Sequence, residues 1–172
     1  MREIIFRGKS GDKWIYGYYL SVKEQNKHYI LTGKLASYSI DCSHSNLKTN
    51  GFEWFEVAPE TVGQYTGLKD KNGNRIFEGD IVRLKIEDDR DYETDGYVEA
   101  KICYIIEKEY DNPAYCGFGL QVLESDKWFE KGETFLRQED LNFDNSLFET
   151  EIIGNIHDNK DLIGEQYANR NV

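Results

Sequence analysis

The sequence predicts a mainly β protein, with an N-terminal β-hairpin lobe, then a small SH3-like β-barrel and a short C-terminal helical tail. Of the 172 residues, 24 are Phe, Trp or Tyr, and β-branched or aromatic residues recur in short runs that end at Gly, Asn or Asp. Such runs are typical of strands joined by turns, and they outnumber helical patterns. We expect the lobe to span residues 1–56, the barrel residues 57–166 and a flexible tail residues 167–172.

The N-terminal lobe begins with a predicted β-hairpin. Residues 3–7 and 14–20 are two aromatic and β-branched runs, and the glycine-containing segment 8–12 between them favours a turn. Residues 28–32 indicate a further short strand. Residues 34–51 are rich in Ser, Asn and Thr, which predicts an irregular loop.

Two turns are predicted at the start of the barrel. Asn72-Gly73 is typical of a type I′ turn, which needs positive φ at both central positions. The second turn, at Gly79, leads into an alternating strand in which Ile81 and the aliphatic part of Arg83 lie on one side. Val82 and Leu84 then lie on the other side.

Further strands are predicted after residue 86, and five strands after Gly79 are enough to close a small barrel. Residues 128–129 and 134–136 are predicted to form a short strand pair. The other predicted strands are residues 96–106, 116–123 and 149–156. Gln138–Phe143 predicts a helical turn, and a short helix is expected from Asp161.

The charge is unevenly distributed along the chain. The protein has 21 basic and 32 acidic residues, a formal charge of −11. Residues 1–50 hold 8 basic and 4 acidic side chains, whereas residues 51–172 hold 13 and 28. Because phosphate binding depends on cations, a nucleic-acid site would have to use the N-terminal lobe.

Several classes of function are disfavoured by missing patterns. No apolar run approaches the roughly 18 residues of a membrane span, and residues 1–20 alternate charged with aromatic residues, so we expect a cytoplasmic protein without membrane contact. Cys42, Cys103 and Cys116 have no CxxC spacing, which argues against a disulfide framework or zinc. The three histidines are scattered, and no GxxxxGK(S/T) or GxSxG motif occurs. The sequence therefore predicts no metal, no cofactor and no enzymatic activity.

An acidic run is the first candidate binding site. Its predicted partner-binding residues are Asp88, Asp89, Asp91, Tyr92, Glu93 and Asp95. The spacing resembles the first half of a calcium loop, but Ile102 stands where an EF-hand needs a bidentate Glu. The run is either a solvated hairpin loop or an anionic surface for a basic protein.

Cations interleaved with aromatics form the alternative site. Arg2, Arg7, Lys9 and Lys13 accompany Trp14, Tyr16, Tyr18 and Tyr19, a combination that suits stacking on single-stranded nucleic acid. Since strand residues alternate between faces, we expect Trp14, Tyr16 and Tyr18 to form the core side instead.

Three blocks of this sequence resemble the YopX family of phage and prophage proteins of Gram-positive bacteria. They are MREIIFRGKSGDKWIYGYYL at residues 1–20, PETVGQYTGLKDKNGNRIFEGDIV at residues 59–82 and EIIGNIHDNKDLI at residues 151–163. The resemblance implies a phage accessory protein. It brings no assigned activity, cofactor or catalytic residue.

These observations together predict a noncatalytic binding module in the cytoplasm of the host cell. The expected partner is a host protein with a basic surface, such as one that handles nucleic acid or acts in defence, met by the acidic surface of the module. The alternative is a single-stranded nucleic-acid-binding protein that uses the basic aromatic lobe. Exposed strand edges can also pair with those of a second copy, so a homo-oligomer is a further expectation.

Overall fold

The computed structural model describes residues 3–42, 45–86, 96–107, 115–125, 129–135 and 150–163. These residues form two antiparallel sheets and a short C-terminal helix, which confirms the mainly β prediction. The chain divides into two compact units, residues 1–65 and residues 66–172. None of the helices in the described ranges has the length and apolar character needed to cross a membrane.

The first unit is an antiparallel sheet with strand order β4-β3-β2-β1-β5. Its strands are β1 (Phe6–Ser10), β2 (Lys13–Val22), β3 (Lys27–Cys42), β4 (Ser45–Glu56) and the beginning of β5 (Gly63–Lys69). β1 and β2 form the predicted hairpin, and the turn at Gly11, with φ of 59°, is tighter than expected.

The predicted loop over residues 34–51 is wrong. Most of this segment belongs to β3 and β4, whose backbones stay paired from Leu35 opposite Phe52 to Cys42 opposite Ser45. Polar composition misled the prediction because a ladder of backbone hydrogen bonds does not require apolar side chains. The Thr, Tyr and Ile residues in this segment also favour strands.

The second unit contains a five-stranded antiparallel sheet with order β10-β9-β8-β7-β11, and β5 ends in this unit beside β6. The bounds are β6 (Arg75–Phe77), β7 (Asp80–Ile86), β8 (Gly96–Glu107), β9 (Tyr115–Ser125), β10 (Thr134–Phe135), β11 (Glu151–Asn155) and helix α1 (Lys160–Ile163). The prediction of five strands after Gly79 and a short C-terminal helix is confirmed. The predicted helical turn at residues 138–143 and the flexible tail at residues 167–172 lie outside the described residues.

The five-stranded sheet is not closed. Among the described residues β10 and β11 are its two edges, so the SH3-like barrel is not confirmed. Of the predicted strand pair at residues 128–129 and 134–136, Trp128 and Leu136 lie outside the described residues, Phe129 is not in a strand, and Thr134–Phe135 form β10, which pairs with β9. A turn with Gly132 at φ of 94° causes this pairing, since Gly132 N–H donates to the Val122 carbonyl and Val122 N–H donates back to the Glu133 carbonyl.

The alternation predicted for β7 is confirmed. Val82 and Leu84 are buried in one cluster with residues of β8 and β9. Ile81 points into a second cluster with Leu123 and Ile163. Arg83, on the same side of the strand as Ile81, pairs with Glu99 directly across in β8.

The turn between β5 and β6 differs from the predicted type I′ form. Gly73 N–H donates to the Asp70 carbonyl, and Asp70 N–H donates to the Asn74 carbonyl. Gly73 has φ of 84°, but Asn72 is not in the left-handed region. This is the pattern of a type I turn followed by a left-handed residue. Gly73 is therefore the residue of this turn that must adopt a positive φ.

Replacing Gly73 with alanine is expected to lower the free energy of unfolding by about 1 kcal/mol, because a Cβ strains a left-handed residue. No atom lies within 4 Å of the position that this Cβ would take, so the cost comes from the backbone alone. Gly117→Ala in β9 is the matched control, since its Cβ also meets nothing within 4 Å and its φ is not left-handed. Denaturant unfolding should show a neutral or stabilising change for Gly117→Ala. Equal losses in both variants would contradict the conformational argument.

Candidate functional site

The acidic run lies outside the described residues. β7 ends at Ile86 and β8 begins at Gly96, so nothing is observed for Asp88, Asp89, Asp91, Tyr92, Glu93 or Asp95. Their role in partner binding stays a prediction. Arg2 of the basic set also falls outside the described residues.

The other members of the basic set lie in the β1–β2 hairpin. Arg7 is buried, with 6% of its surface exposed, and its guanidinium carbon lies 4.6 Å from the centre of the Trp14 ring. Lys9 Nζ lies 5.6 Å from the centre of the same ring. Lys13 is exposed at the start of β2. Two of the predicted cations therefore share one indole ring, an arrangement that favours cation–π attraction.

Large apolar side chains are exposed along β2 and β4. In β2, Tyr16, Tyr18 and Leu20 are 48%, 63% and 50% exposed, and in β4 Phe52 and Trp54 are 58% and 54% exposed. Tyr18 lies opposite Leu31, which in turn lies opposite Trp54. Directly opposed residues of an antiparallel sheet share a face. We call the exposed set the aromatic face: Tyr16, Tyr18, Leu20, Phe52 and Trp54.

The prediction that Tyr16 and Tyr18 form the core side is wrong. The buried side of this sheet holds Ile30, which is 0% exposed and lies opposite Tyr19. The Tyr19 ring contacts that of Phe6, with centroids 5.4 Å apart. Its hydroxyl lies 2.5 Å from Nδ1 of His28. β2 is aromatic on both faces, so alternation alone could not identify the buried one.

The charges at one end of the aromatic face neutralise each other. Lys27 Nζ donates to Glu56 Oε2 at 2.9 Å, and this hydrogen bond together with the Glu56 charge raises the pKa of Lys27. Nearby, the Tyr29 ring meets the Trp54 ring edge-on at 5.1 Å. The centre of the face is thus apolar and aromatic, and its border carries a compensated ion pair.

The described cysteine and histidine residues do not assemble a reactive centre. Cys103 is half-buried in β8, its thiol lies 3.8 Å from the Gly119 carbonyl oxygen, and burial raises the pKa of this thiol. A raised pKa keeps a thiol protonated, which makes it a poor nucleophile. In the part of the chain that the structure describes, no three His, Cys, Asp or Glu side chains lie close enough together to hold a metal ion.

The family assignment follows from the length of chain that the family pattern covers. The YopX protein family profile matches residues 6–164, nearly the whole chain. The chain belongs to the YopX family. No curated protein matches this YopX chain.

The first half of the YopX signature, residues 59–65, is joined to β1 in the first unit. Thr61 Oγ1 accepts a hydrogen bond from Lys9 N–H at 2.8 Å, and Tyr65 N–H donates to the Ile5 carbonyl. Just before the signature, Val57 lies against Gly8, where a Cβ would come within 3.0 Å of the valine side chain. The opening block and the signature therefore form one hydrogen-bonded structure.

The second half of the signature is joined to the closing block in the second unit. β11 pairs with β7, with Ile152 opposite Val82. Lys71 N–H donates to the Thr150 carbonyl, and Ile156 N–H donates to that of Gly79. The second half of the signature and the closing block therefore form one hydrogen-bonded structure. The aromatic face takes Tyr16, Tyr18 and Leu20 from the opening block, and Phe52 and Trp54 from outside all three blocks.

Proposed function

We propose that this YopX protein is a phage-encoded accessory protein that acts as a noncatalytic binding module on a host protein in the host cytoplasm. The observation that carries the proposal is the aromatic face. Its five large side chains are 48–63% exposed on one side of one sheet. Several large exposed apolar side chains on one face of a sheet are typical of interaction sites.

The size of the aromatic face supports a protein partner. A large aromatic side chain presents about 150–250 Å² when fully exposed, so the four half-exposed aromatic side chains together with Leu20 present roughly 400–600 Å². This area reaches the top of the range for the largest apolar patch on a monomer. Tyr and Trp are also the residue types that most often dominate binding energy in protein interfaces.

The charge of the chain supports a basic partner. Residues 1–65 hold 8 basic and 7 acidic side chains, a formal charge of +1, whereas residues 66–172 hold 13 and 25, a charge of −12. The predicted acidic residues at 88–95 contribute to this excess. A strongly negative body accelerates encounter with a cationic protein and repels phosphate. Host proteins that handle nucleic acid, including those of defence, carry such cationic surfaces.

Single-stranded nucleic acid is a second candidate ligand, favoured by one specific observation. Lys9 lies over the Trp14 ring, and Tyr16 is exposed in the same strand as Trp14. Aromatic rings beside cations suit base stacking and phosphate contact. The near-neutral first unit and the negative chain make this the weaker candidate.

We expect the double variant Tyr18→Ser/Trp54→Ser to retain at least about tenfold less host protein than the wild type does, because two central aromatic contacts are removed. The measurement is quantitative mass spectrometry of host proteins retained by the tagged protein from nuclease-treated lysate. The control is Tyr104→Ser/Ile106→Ser in the second unit, whose side chains are 47% and 61% exposed in the wild type. This control should retain the partner.

Two results would count against the proposal. Equal retention by the wild type and the Tyr18/Trp54 variant would show that the aromatic face is not the contact surface. Recovery of nucleic acid that disappears with nuclease and with moderate salt, without a discrete protein, would favour the second candidate, because phosphate binding weakens steeply with salt.

A further inference from the structure

β4 is an edge strand whose outward backbone groups can be assigned. Among the described residues β4 is the outermost strand of its sheet, and Val57 N–H, just after it, donates to the His28 carbonyl at 2.9 Å. Antiparallel pairs alternate between residues that exchange hydrogen bonds and residues that do not. Tyr29 lies opposite Glu56, so the N–H and C=O groups of Glu56 and Trp54 point away from β3, toward the open edge.

The last six residues of β4 have an acidic and aromatic composition. The stretch Gly51-Phe52-Glu53-Trp54-Phe55-Glu56 contains two carboxylates, no cation and no proline. Lysine and proline are residues that commonly protect strand edges against further pairing. Phe52 and Trp54 lie on the aromatic face, and Glu53, on the opposite face, accepts a hydrogen bond from Thr32 Oγ1 at 2.8 Å.

We infer that the β4 edge takes an extended segment of the partner protein as an added strand, and that in this segment Lys or Arg alternates with apolar residues. The inference rests on the proposed function and specifies how the partner binds. The outward backbone groups of Trp54 and Glu56 would pair with the added strand, as in other cases of strand addition. Because side chains alternate between faces, its apolar residues lie beside Phe52 and Trp54 while its cations lie beside Glu53.

Nucleic acid fits this edge poorly. A phosphate backbone supplies no ladder of alternating N–H and C=O groups. Of the two carboxylates in the stretch, Glu56 is paired with Lys27, and Glu53, on the opposite face, would repel a phosphate. Opposite charges across neighbouring strands are favourable, whereas like charges are not. The chemistry of the edge therefore selects a cationic polypeptide.

The test uses two short synthetic peptides as probes, one alternating Lys with Val and one alternating Glu with Val. The Lys/Val peptide is expected to bind the full-length protein and to slow hydrogen exchange at the Trp54 and Glu56 amides. Glu56→Pro should weaken its binding about tenfold, since proline removes an outward N–H. Glu56→Ala is the matched control, because it removes the same carboxylate but keeps the N–H.

The outcomes separate this inference from the proposed function. If saturating Lys/Val peptide leaves hydrogen exchange at the Trp54 and Glu56 amides of the wild-type protein unchanged, strand addition is overturned. This measurement does not depend on whether Glu56→Pro folds. Equal slowing of this exchange by the Lys/Val and Glu/Val peptides would also overturn the inference. So would slowing that increases with protein concentration in the absence of peptide, because the edge would then pair with a second copy of the chain. If the Tyr18→Ser/Trp54→Ser variant still loses its host protein in these cases, the aromatic face remains the binding surface and only the mode is wrong.

Discussion

Ile81→Ala is expected to lower the free energy of unfolding by about 2–5 kcal/mol, the range for truncating a fully buried aliphatic side chain. Ile81 is 0% exposed and packs in one cluster with Leu123 and Ile163. The substitution removes apolar contact with both residues and leaves a cavity beneath β7. Since a domain of this size is stable by only about 5–15 kcal/mol, the loss should be plain in a denaturant titration read by far-ultraviolet circular dichroism.

The matched control for this change is Ile106→Ala in β8. Ile106 is 61% exposed, so the same atoms are removed from a side chain that already contacts water. We expect a change within about 0.5 kcal/mol. Similar losses for the two variants would show that the cluster around Ile81 contributes little to stability.

Sequence pattern was sufficient for β7, which follows a glycine and packs against apolar residues on both faces. Gly79, just before β7, has φ of 82°, and Ile81 packs in one apolar cluster while Val82 and Leu84 pack in another, as predicted. A period of two distinguishes such faces reliably, because a slip of one residue would move every apolar side chain to the wrong side. Runs of β-branched and aromatic residues located β8, β9 and β11.

The aromatic face could not be found in this way. β2 reads Trp-Ile-Tyr-Gly-Tyr-Tyr-Leu over residues 14–20, so both faces carry large apolar residues. The buried face is decided by pairing with β3, which places Tyr19 opposite Ile30 and Tyr18 opposite Leu31. A local signal did exist at Gly17, on the buried face, where a Cβ would meet the Leu31 carbonyl oxygen.

Family resemblance identified the family of the chain but did not point to the aromatic face. The three blocks account for β1, most of β2, β5, β6, the start of β7, β11 and α1. They hold Tyr16, Tyr18 and Leu20, whereas Phe52 and Trp54 come from β4, between the blocks. β4 is also the strand at which we propose that the partner binds.

Asp70 is a buried carboxylate that ties the β5–β6 turn to β11. It is 6% exposed. Its Oδ1 accepts hydrogen bonds from Asn72 N–H at 2.9 Å and Asn74 N–H at 2.8 Å. Its Oδ2 accepts from the Asn74 side-chain amide at 3.0 Å and from Ile152 N–H at 3.5 Å. Burial alone would raise the pKa of Asp70, but the hydrogen bonds from Asn74, Ile152 and Asn72 outweigh it and lower the pKa below the ordinary 3.8.

We expect Asp70→Asn to lower the free energy of unfolding by about 2–3 kcal/mol at neutral pH, because the amide cannot accept charge-assisted hydrogen bonds on both of its terminal atoms. The ionised Asp70 stabilises the fold at every pH above the ordinary pKa of 3.8. This contribution is lost as pH falls through the lower pKa of the folded state. The difference between wild type and Asp70→Asn should therefore be constant from neutral pH down to about 4 and shrink below it.

Denaturant unfolding over this pH range gives the measurement, with Asp12→Asn as control. Asp12 is exposed in the β1–β2 turn, so its replacement should change the free energy of unfolding by less than about 0.5 kcal/mol. An Asp70→Asn deficit that persists unchanged in acid would mean that the loss comes from altered shape. A deficit that closes below pH 3.8 would establish that the charge of Asp70 holds the second half of the YopX signature against the closing block.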